Sequence, residues 1–147
     1  MTYRFSLATL LRFRESLEQR RWLELQHANQ QVQKTMLAIA ELESKRKEWR
    51  RQRQQALATS VVALAIEPWA EQYYERRAEE LARQLTQARK VAVERLAAFQ
   101  RARQAREIVT NLYLRDRAAY QDQRAKREQA QVDEMFLMRR EHLAKAR

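Results

Sequence analysis

The second half of this chain contains no residue that would end a helix. From Pro68 to Arg147 there are eighty residues without a glycine, and Pro68 is the only proline in the protein. Alanine, leucine, glutamate, glutamine and arginine are frequent in this stretch, and these residues lose little free energy on entering a helix. The stretch therefore predicts a single helix about 115 Å long, at about 1.5 Å per residue. Because such a helix is polar on most of its surface, it needs a partner that covers its apolar stripe.

The first half of the chain has the pattern of that partner. Ser6 can cap a helix that continues to about residue 58. Apolar or small residues recur in this helix at alternating spacings of three and four, as in the heptads of a coiled coil: Leu25, Ala28, Val32, Thr35, Ile39 and Leu42. Extending the register gives a poor core, so we expect the seam to weaken or to shift its phase toward the turn: Arg46, Trp49, Arg53 and Ala56.

Residues 59–67 interrupt the pattern between the two helical stretches. Pro68 can then start the second helix, because proline is favoured at the first helical position. One break between two long helices predicts an all-α fold, in which the helices form an antiparallel coiled-coil hairpin. The apolar residues from Val61 to Ile66 would close this turn or form a contact surface at its tip.

The expected organisation is a single domain over residues 1–147. We expect helix 1 over about 6–58, the turn over 59–67, and helix 2 over about 68–145. Folding the chain at the centre of the turn pairs residue i with about residue 126 − i. Helix 2 should therefore extend beyond helix 1 from about residue 124, with its C-terminal part unpaired.

The apolar residues of helix 2 do not follow a clean heptad. They step from Ala88 to Ala92 to Leu96, which inserts one extra residue. Such an insertion predicts a stutter, which locally unwinds a left-handed supercoil.

The positive charge of the chain is distributed along its whole length. The formal net charge is +11, and arginine is the main cation. This charge favours a long acidic surface or nucleic acid as partner, or it only keeps a thin helical protein hydrated. Six cations and one acid lie within residues 45–53. On a helix they spread around the whole circumference, so a solvated surface or a protein-docking patch is favoured, and no nucleic acid is expected.

No arrangement of residues in the sequence suggests catalysis. The chain has no cysteine and no glycine, so thiolate metal sites and phosphate-cradling loops are excluded. His27 and His142 lie far apart and have no second ligand at metal spacing. We therefore expect no enzyme, no cofactor and no metal. No apolar run is long enough to span a bilayer, and no signal peptide is evident, so a cytoplasmic protein without direct membrane insertion is expected.

Three segments of the chain resemble the FliJ family of flagellar export proteins. The first is Phe5-Ser-Leu-Ala-Thr-Leu-Leu-Arg-Phe-Arg-Glu15, at the start of the chain. The second is Ala88-Arg-Lys-Val91, with Glu94-Arg-Leu96 behind it. The third is Ala130-Gln-Val-Asp-Glu134, followed by Met-Phe and basic residues. The chain length, the single break near residue 60 and the basic charge agree with this resemblance.

The resemblance implies a stalk-like function. Members of the family are two-helix coiled coils similar to the central stalk of rotary ATPases. They insert into the hexameric ring of the flagellar export ATPase and promote its assembly. They also contact the cytoplasmic domain of the export gate and handle export chaperones. The chain would therefore be a non-enzymatic escort that associates peripherally with the export apparatus of the inner membrane.

Two sets of contact residues follow from the resemblance and from the expected unpaired end. A gate-contacting set, spaced i, i+4, i+7, i+11 and opening with an aromatic residue, matches Tyr74, Ala78, Leu81 and Leu85. The same four residues also suit the seam between the helices. An ATPase-ring contact is expected at Leu7, Leu11, Phe13, Met135, Phe136, Met138, Arg139 and Arg140.

Two other functions remain open at this point. The first is the related stalk of an injectisome-type secretion system, which the sequence does not distinguish from the flagellar one. The second is a basic coiled coil that binds nucleic acid or serves as a scaffold. A gamma subunit of an ATP synthase is disfavoured, because residues 59–67 leave no room for the domain between its helices.

Overall fold

The computed structural model describes residues 2–59 and 68–147, and all regular secondary structure in these residues is α-helical. Helix α1 spans Ala8–Thr59 and contains 52 residues, and helix α2 spans Pro68–Lys145 and contains 78 residues. The predicted all-α fold of two long helices is confirmed. Apart from Thr59, the predicted turn and its apolar tip lie outside the described residues.

The chain forms two compact units, and residues from both halves of the sequence contribute to each. The terminal unit combines Met1–Glu18 with Ala102–Arg147. The central unit spans Gln19–Arg101.

Within each unit, the contacts between the two halves follow the order of a hairpin. Hydrogen bonds join Tyr3 to Asp116 and Glu18 to Arg106 in the terminal unit, and Glu24 to Arg95 and Arg50 to Glu71 in the central unit. In both units, a later residue of the first half meets an earlier residue of the second half. This is the order that antiparallel neighbouring helices produce.

In the central unit, one narrow face of α1 is turned toward α2. Buried and half-buried residues of this face recur at spacings of three and four: Leu25, Ala28, Val32, Thr35, Ile39, Leu42, Arg46, Trp49, Arg53 and Ala56. The predicted seam is confirmed, and its phase does not shift toward the turn. Arg46 fits the seam because its guanidinium reaches Glu71, and that of Arg53 lies 5.6 Å from the ring centre of Trp49. Long arginine side chains can follow an apolar seam while their heads find polar partners.

The facing residues of α2 in the central unit also keep an unbroken heptad, so the predicted stutter is wrong. The seam residues are Tyr74, Ala78, Leu81, Leu85, Ala88, Ala92 and Phe99. The position between the last two is occupied by Arg95, whose guanidinium lies 3.4 Å from Glu24. Leu96, which suggested the stutter, is 43% exposed. Because Arg95 is charged, the heptad is not evident when only apolar residues are considered.

The pairing of the two helices is displaced from the predicted one. Trp49 lies against Tyr74, with 5.8 Å between ring centres, whereas folding about residue 63 would pair it with residue 77. Glu24 reaches Arg95, not residue 102. Residues of α1 therefore meet residues of α2 that lie earlier in the chain than expected.

In the terminal unit, the seam of α2 ends at Tyr120. Its buried and half-buried residues include Ala102, Arg106, Val109, Tyr113 and Tyr120, and every residue from 121 to 147 is exposed. Continuing the same heptad beyond Tyr120 gives Gln123, Arg127, Ala130, Glu134 and Leu137, of which only Leu137 is a large apolar residue. The second helix extends unpaired over this stretch, as predicted.

Candidate partner-binding surfaces

The predicted gate-contacting set lies on the face of α2 that packs against α1. Leu81 is only 3% exposed, and Tyr74, Ala78 and Leu85 are half-buried. The four residues therefore lie in one line along α2, and this line is part of the seam between the helices. A role of these residues in gate binding stays a prediction.

A shallow groove of about 380 Å³ borders two members of that set. Tyr74 and Leu81 line it together with Tyr73, Arg77 and Lys45. Tyr73 is 56% exposed, and its ring meets that of Tyr74 edge-on, with 5.6 Å between the ring centres. The sequence analysis did not select Tyr73, although an aromatic residue outside the heptad phase is a signal of an exposed contact residue.

The basic cluster of residues 45–53 is largely engaged by side chains of the central unit. Arg46 and Arg50 both bond to Glu71, and Arg51 bonds to Glu48 at 2.7 Å. Lys45 pairs with Glu41, and Arg53 lies over Trp49. Five of the six cations in the cluster thus have an internal partner. This arrangement favours a structural role over a row of phosphate-binding groups.

Glu71 is the acid on which this cluster converges. The hydrogen bonds donated by Arg50 and by Arg46 lower the pKa of the Glu71 carboxyl from 4.5 to about 2. The ionised carboxylate of Glu71 accepts hydrogen bonds from two guanidinium groups. It therefore joins the start of α2 to α1 at any pH above about 2.

Aromatic residues before α1 attach the start of the chain to α2 in the terminal unit. The ring centre of Tyr3 lies 5.1 Å from that of Tyr120 and 6.2 Å from that of Tyr113. The ring of Phe5 meets Tyr113 edge-on at 5.2 Å, a favourable geometry for aromatic pairs. We call these four residues the aromatic cluster. The aromatic cluster was not predicted from the sequence, because Tyr3 and Phe5 precede the helix and belong to no heptad.

Two polar contacts also join the two halves of the terminal unit. Tyr3 Oη donates a hydrogen bond to Asp116 Oδ2 at 2.9 Å. Removal of water by the surrounding groups, together with Asp116, raises the pKa of the Tyr3 hydroxyl to about 12. Farther along, Arg106 Nε donates to Glu18 Oε2 at 2.6 Å, and this bond raises the pKa of Arg106.

The predicted ATPase-ring contacts form two separate groups within the terminal unit. Leu7 and Phe13 are 37% and 58% exposed, and Leu11 is half-buried. Among the described residues before α1, Tyr3 reaches α2 at Tyr120, and Met135 lies fifteen residues beyond Tyr120. At about 1.5 Å per residue, this is a separation of about 22 Å along the helix. The N-terminal and C-terminal groups therefore do not form one continuous site.

The C-terminal group is almost wholly accessible. Met135, Phe136 and Met138 are 60–66% exposed, and with Val132 and Arg139 they line a shallow hollow of about 530 Å³. Arg139 and Arg140 are exposed beside it. In the heptad phase of the terminal unit, Val132, Met135 and Phe136 lie on the side opposite the seam. This apolar surface is therefore turned away from the direction in which α2 contacts the first half of the chain.

A cleft of about 530 Å³ lies along one flank of the central unit. It forms where the small residues Ala28 and Ala88 occupy the seam, and Gln31 and Gln84 lie on its two sides. His27 also lines this cleft.

Neither metal sites nor membrane spans are found in the described part of the chain. Within residues 2–59 and 68–147, no three histidine, aspartate or glutamate side chains are arranged to hold a metal ion. No helix there combines the length and the apolar character that crossing a bilayer requires.

Comparison with protein families places this geometry in a known context. The family model for the flagellar FliJ protein matches residues 3–144, which is nearly the whole chain. The comparisons with curated proteins and with solved structures gave no significant match.

Proposed function

Because the chain belongs to the FliJ family of flagellar proteins, we propose that it is the stalk of the flagellar export ATPase. Membership makes the chain a component of the flagellar type III export apparatus, in a family of structural and escort proteins. On this proposal the protein inserts into the hexameric ATPase ring and promotes its assembly. It acts as a binding partner and carries out no reaction of its own.

The observation that carries the proposal is the unpaired C-terminal part of α2. Residues 121–147 are exposed throughout and present an apolar surface with adjacent arginines. Exposed apolar surface of this kind marks an interaction site. A positively charged helix end inside a ring of opposite charge gains a broad attraction that does not depend on a single orientation. Methionine side chains tolerate changing surroundings, as a contact with successive subunits would require.

The test measures hexamer formation and ATP hydrolysis by the purified export ATPase. The full chain should stimulate both, with a larger effect at low salt than at high salt. A chain that ends at residue 129 should remain folded, because it retains the seam, and should lose the stimulation. A double substitution, Met135→Gln with Phe136→Gln, should also reduce it.

The matched control is Ile108→Gln with Leu114→Gln, at two residues of the same helix that are 63% and 53% exposed. This control should leave stimulation unchanged. Full stimulation by the shortened chain would show that the C-terminal end is not the inserted one. No stimulation by the full chain at low salt would count against the stalk function itself.

We also propose that the start of α2 contacts the export gate, at Tyr74, Ala78, Leu81 and Leu85. The groove lined by Tyr74, Tyr73 and Arg77 supports this placement, because it borders part of the set. Tyr74→Ala should weaken gate binding more than ATPase binding. Leu81→Ala should lower stability by about 2–5 kcal/mol, as truncation of a buried leucine does. If each variant loses gate binding only in proportion to its lost stability, the set serves the seam alone.

On the same proposal, the protein handles export chaperones, is cytoplasmic and associates peripherally with the inner membrane. The family membership supports the flagellar export system over the injectisome stalk. The internal partners of the basic cluster argue against a nucleic-acid-binding coiled coil. Cell fractionation with and without the other export components would test the association with the membrane.

A further inference from the structure

Helix α1 carries a face without charge between residues 22 and 40. Nine positions form it: Trp22, Leu23, Gln26, Asn29, Gln30, Gln33, Met36, Leu37 and Ala40. We call this face the uncharged stripe. With 33% of the chain charged, about three of nine positions would carry a charge at the average frequency. The stripe therefore departs from the surface composition of the rest of the protein.

The uncharged stripe is accessible and is not part of the helix seam. Leu37 is 69% exposed, Leu23 is 55% exposed, and Trp22 and Met36 are 45% and 43% exposed. Trp22, Asn29 and Met36 each follow a seam position by one residue, and the other stripe residues lie farther around the helix. Solvated helix faces normally carry charged residues, so an exposed tryptophan, two leucines and a methionine on one face indicate a covering partner.

Basic residues line one edge of the stripe. Arg20, His27 and Lys34 follow one another at a spacing of seven residues, and therefore form a column beside Leu23 and Leu37. Through Arg20 and Lys34, this column presents positive charge along one side of the stripe.

The other edge faces α2. The cleft lined by Gln31 and Gln84 occupies one flank of the seam. Trp22 and Met36 lie on the opposite flank, beside the α2 positions Ala82, Arg89 and Leu96. The first edge of the uncharged stripe therefore carries two cations, and the second edge carries one, Arg89.

We propose that the uncharged stripe docks an amphipathic helix of an acidic partner protein. The apolar face of that helix would contact Trp22, Leu23, Met36 and Leu37, and its flanking aspartates and glutamates would face the cations at the two edges. This inference goes beyond the stalk function and does not depend on it, because it rests on the side chains of the central unit.

The shape of the stripe selects a helix as the occupant. The distance from residue 22 to residue 40 is about 27 Å along α1, and the stripe residues recur at spacings of three and four. A straight surface one helix wide, with these spacings, provides ridges and grooves for a second helix. Docking of an amphipathic helix through i, i+3, i+4 and i+7 anchors is a common recognition mode.

The charge of the chain argues against a second copy as the occupant. Each copy carries a formal net charge of +11, and the edges of the stripe would place like charges near each other. The asparagine and the three glutamines in the stripe argue against a lipid surface, because amide groups have no hydrogen-bond partners among acyl chains. In a protein interface the same amides can bond to polar side chains of the partner helix.

The test uses two designed helical peptides with the same leucine and alanine face. One peptide has glutamate at its flanking positions and the other has lysine. The full chain carries Trp49→Phe and Trp69→Phe, so that Trp22 is its only tryptophan. Burial of Trp22 should shift its emission to shorter wavelength when the glutamate peptide is added. The lysine peptide should bind about tenfold more weakly or worse, which is about 1.4 kcal/mol.

Paired variants test the position of the site. Leu23→Glu with Leu37→Glu should reduce affinity for the glutamate peptide about tenfold or more. Ser16→Glu with Ser44→Glu is the matched control, because these serines lie in the same heptad column just outside the stripe. The control should stay within about twofold of the unmodified chain. If the glutamate variant unfolds, Leu37→Gln is used, which should still weaken binding.

Three results would overturn the proposal. The first is binding of the two peptides with equal affinity, or equal binding by the stripe variant and its control. The second is a Trp22 shift with phosphatidylglycerol vesicles and none with the glutamate peptide, which would assign the stripe to a lipid surface. The third is a dimer in sedimentation experiments that only the stripe variant abolishes, which would make a second copy the occupant.

Discussion

Residues 102–120 and residues 121–145 belong to the same α-helix, yet only the first stretch is paired within the terminal unit. In the paired stretch, Ala102 and Val109 are 6% and 5% exposed. In the unpaired stretch, every side chain is exposed, although Val132 and Phe136 are as apolar as any in the seam. Helix-forming residues are sufficient to continue the helix through both stretches. The apolar residues of the two stretches also differ in phase, because Val132 and Phe136 lie opposite the seam.

The charged residues differ between the two stretches in the same way. In the paired stretch, Arg106 bonds to Glu18 on the other helix. In the unpaired stretch, Asp122 pairs with Lys126, four residues away on α2. Pairs of the second kind support the helix only slightly and do not fix its position relative to another element. The unpaired stretch is thus a helix whose exposed side chains remain available to a partner protein.

The largest expected effect comes from placing the same charge in the two stretches. Val109→Asp would put a carboxylate into the seam without a partner, and should lower the free energy of unfolding by about 3 kcal/mol or more. Val132→Asp, at a residue that is 54% exposed, should change it by less than about 0.5 kcal/mol. Urea unfolding monitored by circular dichroism at 222 nm measures both. Equal losses of unfolding free energy in the two variants would contradict this difference between the stretches, since they would mean that Val132 is covered.

A smaller effect is expected at the aromatic cluster, which joins the start of the chain to the last turns of the paired stretch. Phe5→Ala removes the edge-on contact with Tyr113, and should lower stability by about 1–2 kcal/mol. Phe136→Ala is the matched control in the unpaired stretch and should leave stability unchanged. Thermal unfolding of the two variants, at equal protein concentration, makes the comparison. An unchanged Phe5→Ala variant would show that pairing is complete without the aromatic cluster.

These two stretches also show which parts of the structure the sequence could predict. The end of pairing near residue 124 was expected, because the absence of a partner follows from the chain length on each side of the turn. The α1 seam from Leu25 to Leu42 was expected, because apolar residues mark each of its positions but one. The register beyond Leu42 was misjudged, since Arg46 and Arg53 hold seam positions through specific polar partners. Such partners become visible only when the second helix is placed.

The candidate surfaces were harder to predict for a related reason. Tyr74 and Leu81 fit an outward contact and an inward seam equally well by spacing, and the structure places them in the seam. No pattern within the two helices encodes the offset of the pairing. The aromatic cluster depends on residues 3–5, which precede α1. By contrast, the exposure of Met135 and Phe136 follows directly from the unpaired end.

A still smaller effect is expected from the ion pairs of the two stretches. Arg106→Gln removes a half-buried pair with Glu18 between the two halves of the chain, and should lower stability by about 1 kcal/mol. Lys126→Gln removes an exposed pair within α2 and should have no measurable effect. Urea unfolding at low and high salt separates them, because salt screens the exposed pair more strongly. A larger loss at Lys126 than at Arg106 would reverse the assignment of the paired and unpaired stretches.

The smallest expected effect concerns the Tyr3 hydroxyl, which marks the end of the paired stretch through its bond to Asp116. Its pKa is raised in the folded protein, from 10.0 to about 12, so folding favours the protonated hydroxyl. The stabilisation is therefore fully present below pH 10 and is lost as the pH rises through about 12. Absorbance at 295 nm should show a tyrosine titration step near pH 12 that Tyr3→Phe removes. The variant should also show a weaker dependence of melting temperature on pH in this window. A Tyr120→Phe control removes a neighbouring hydroxyl without touching the bond to Asp116, and should retain the step near pH 12. If Tyr3→Phe leaves the titration unchanged, the start of the chain does not lie against α2 in solution, and the paired stretch is shorter than residues 102–120.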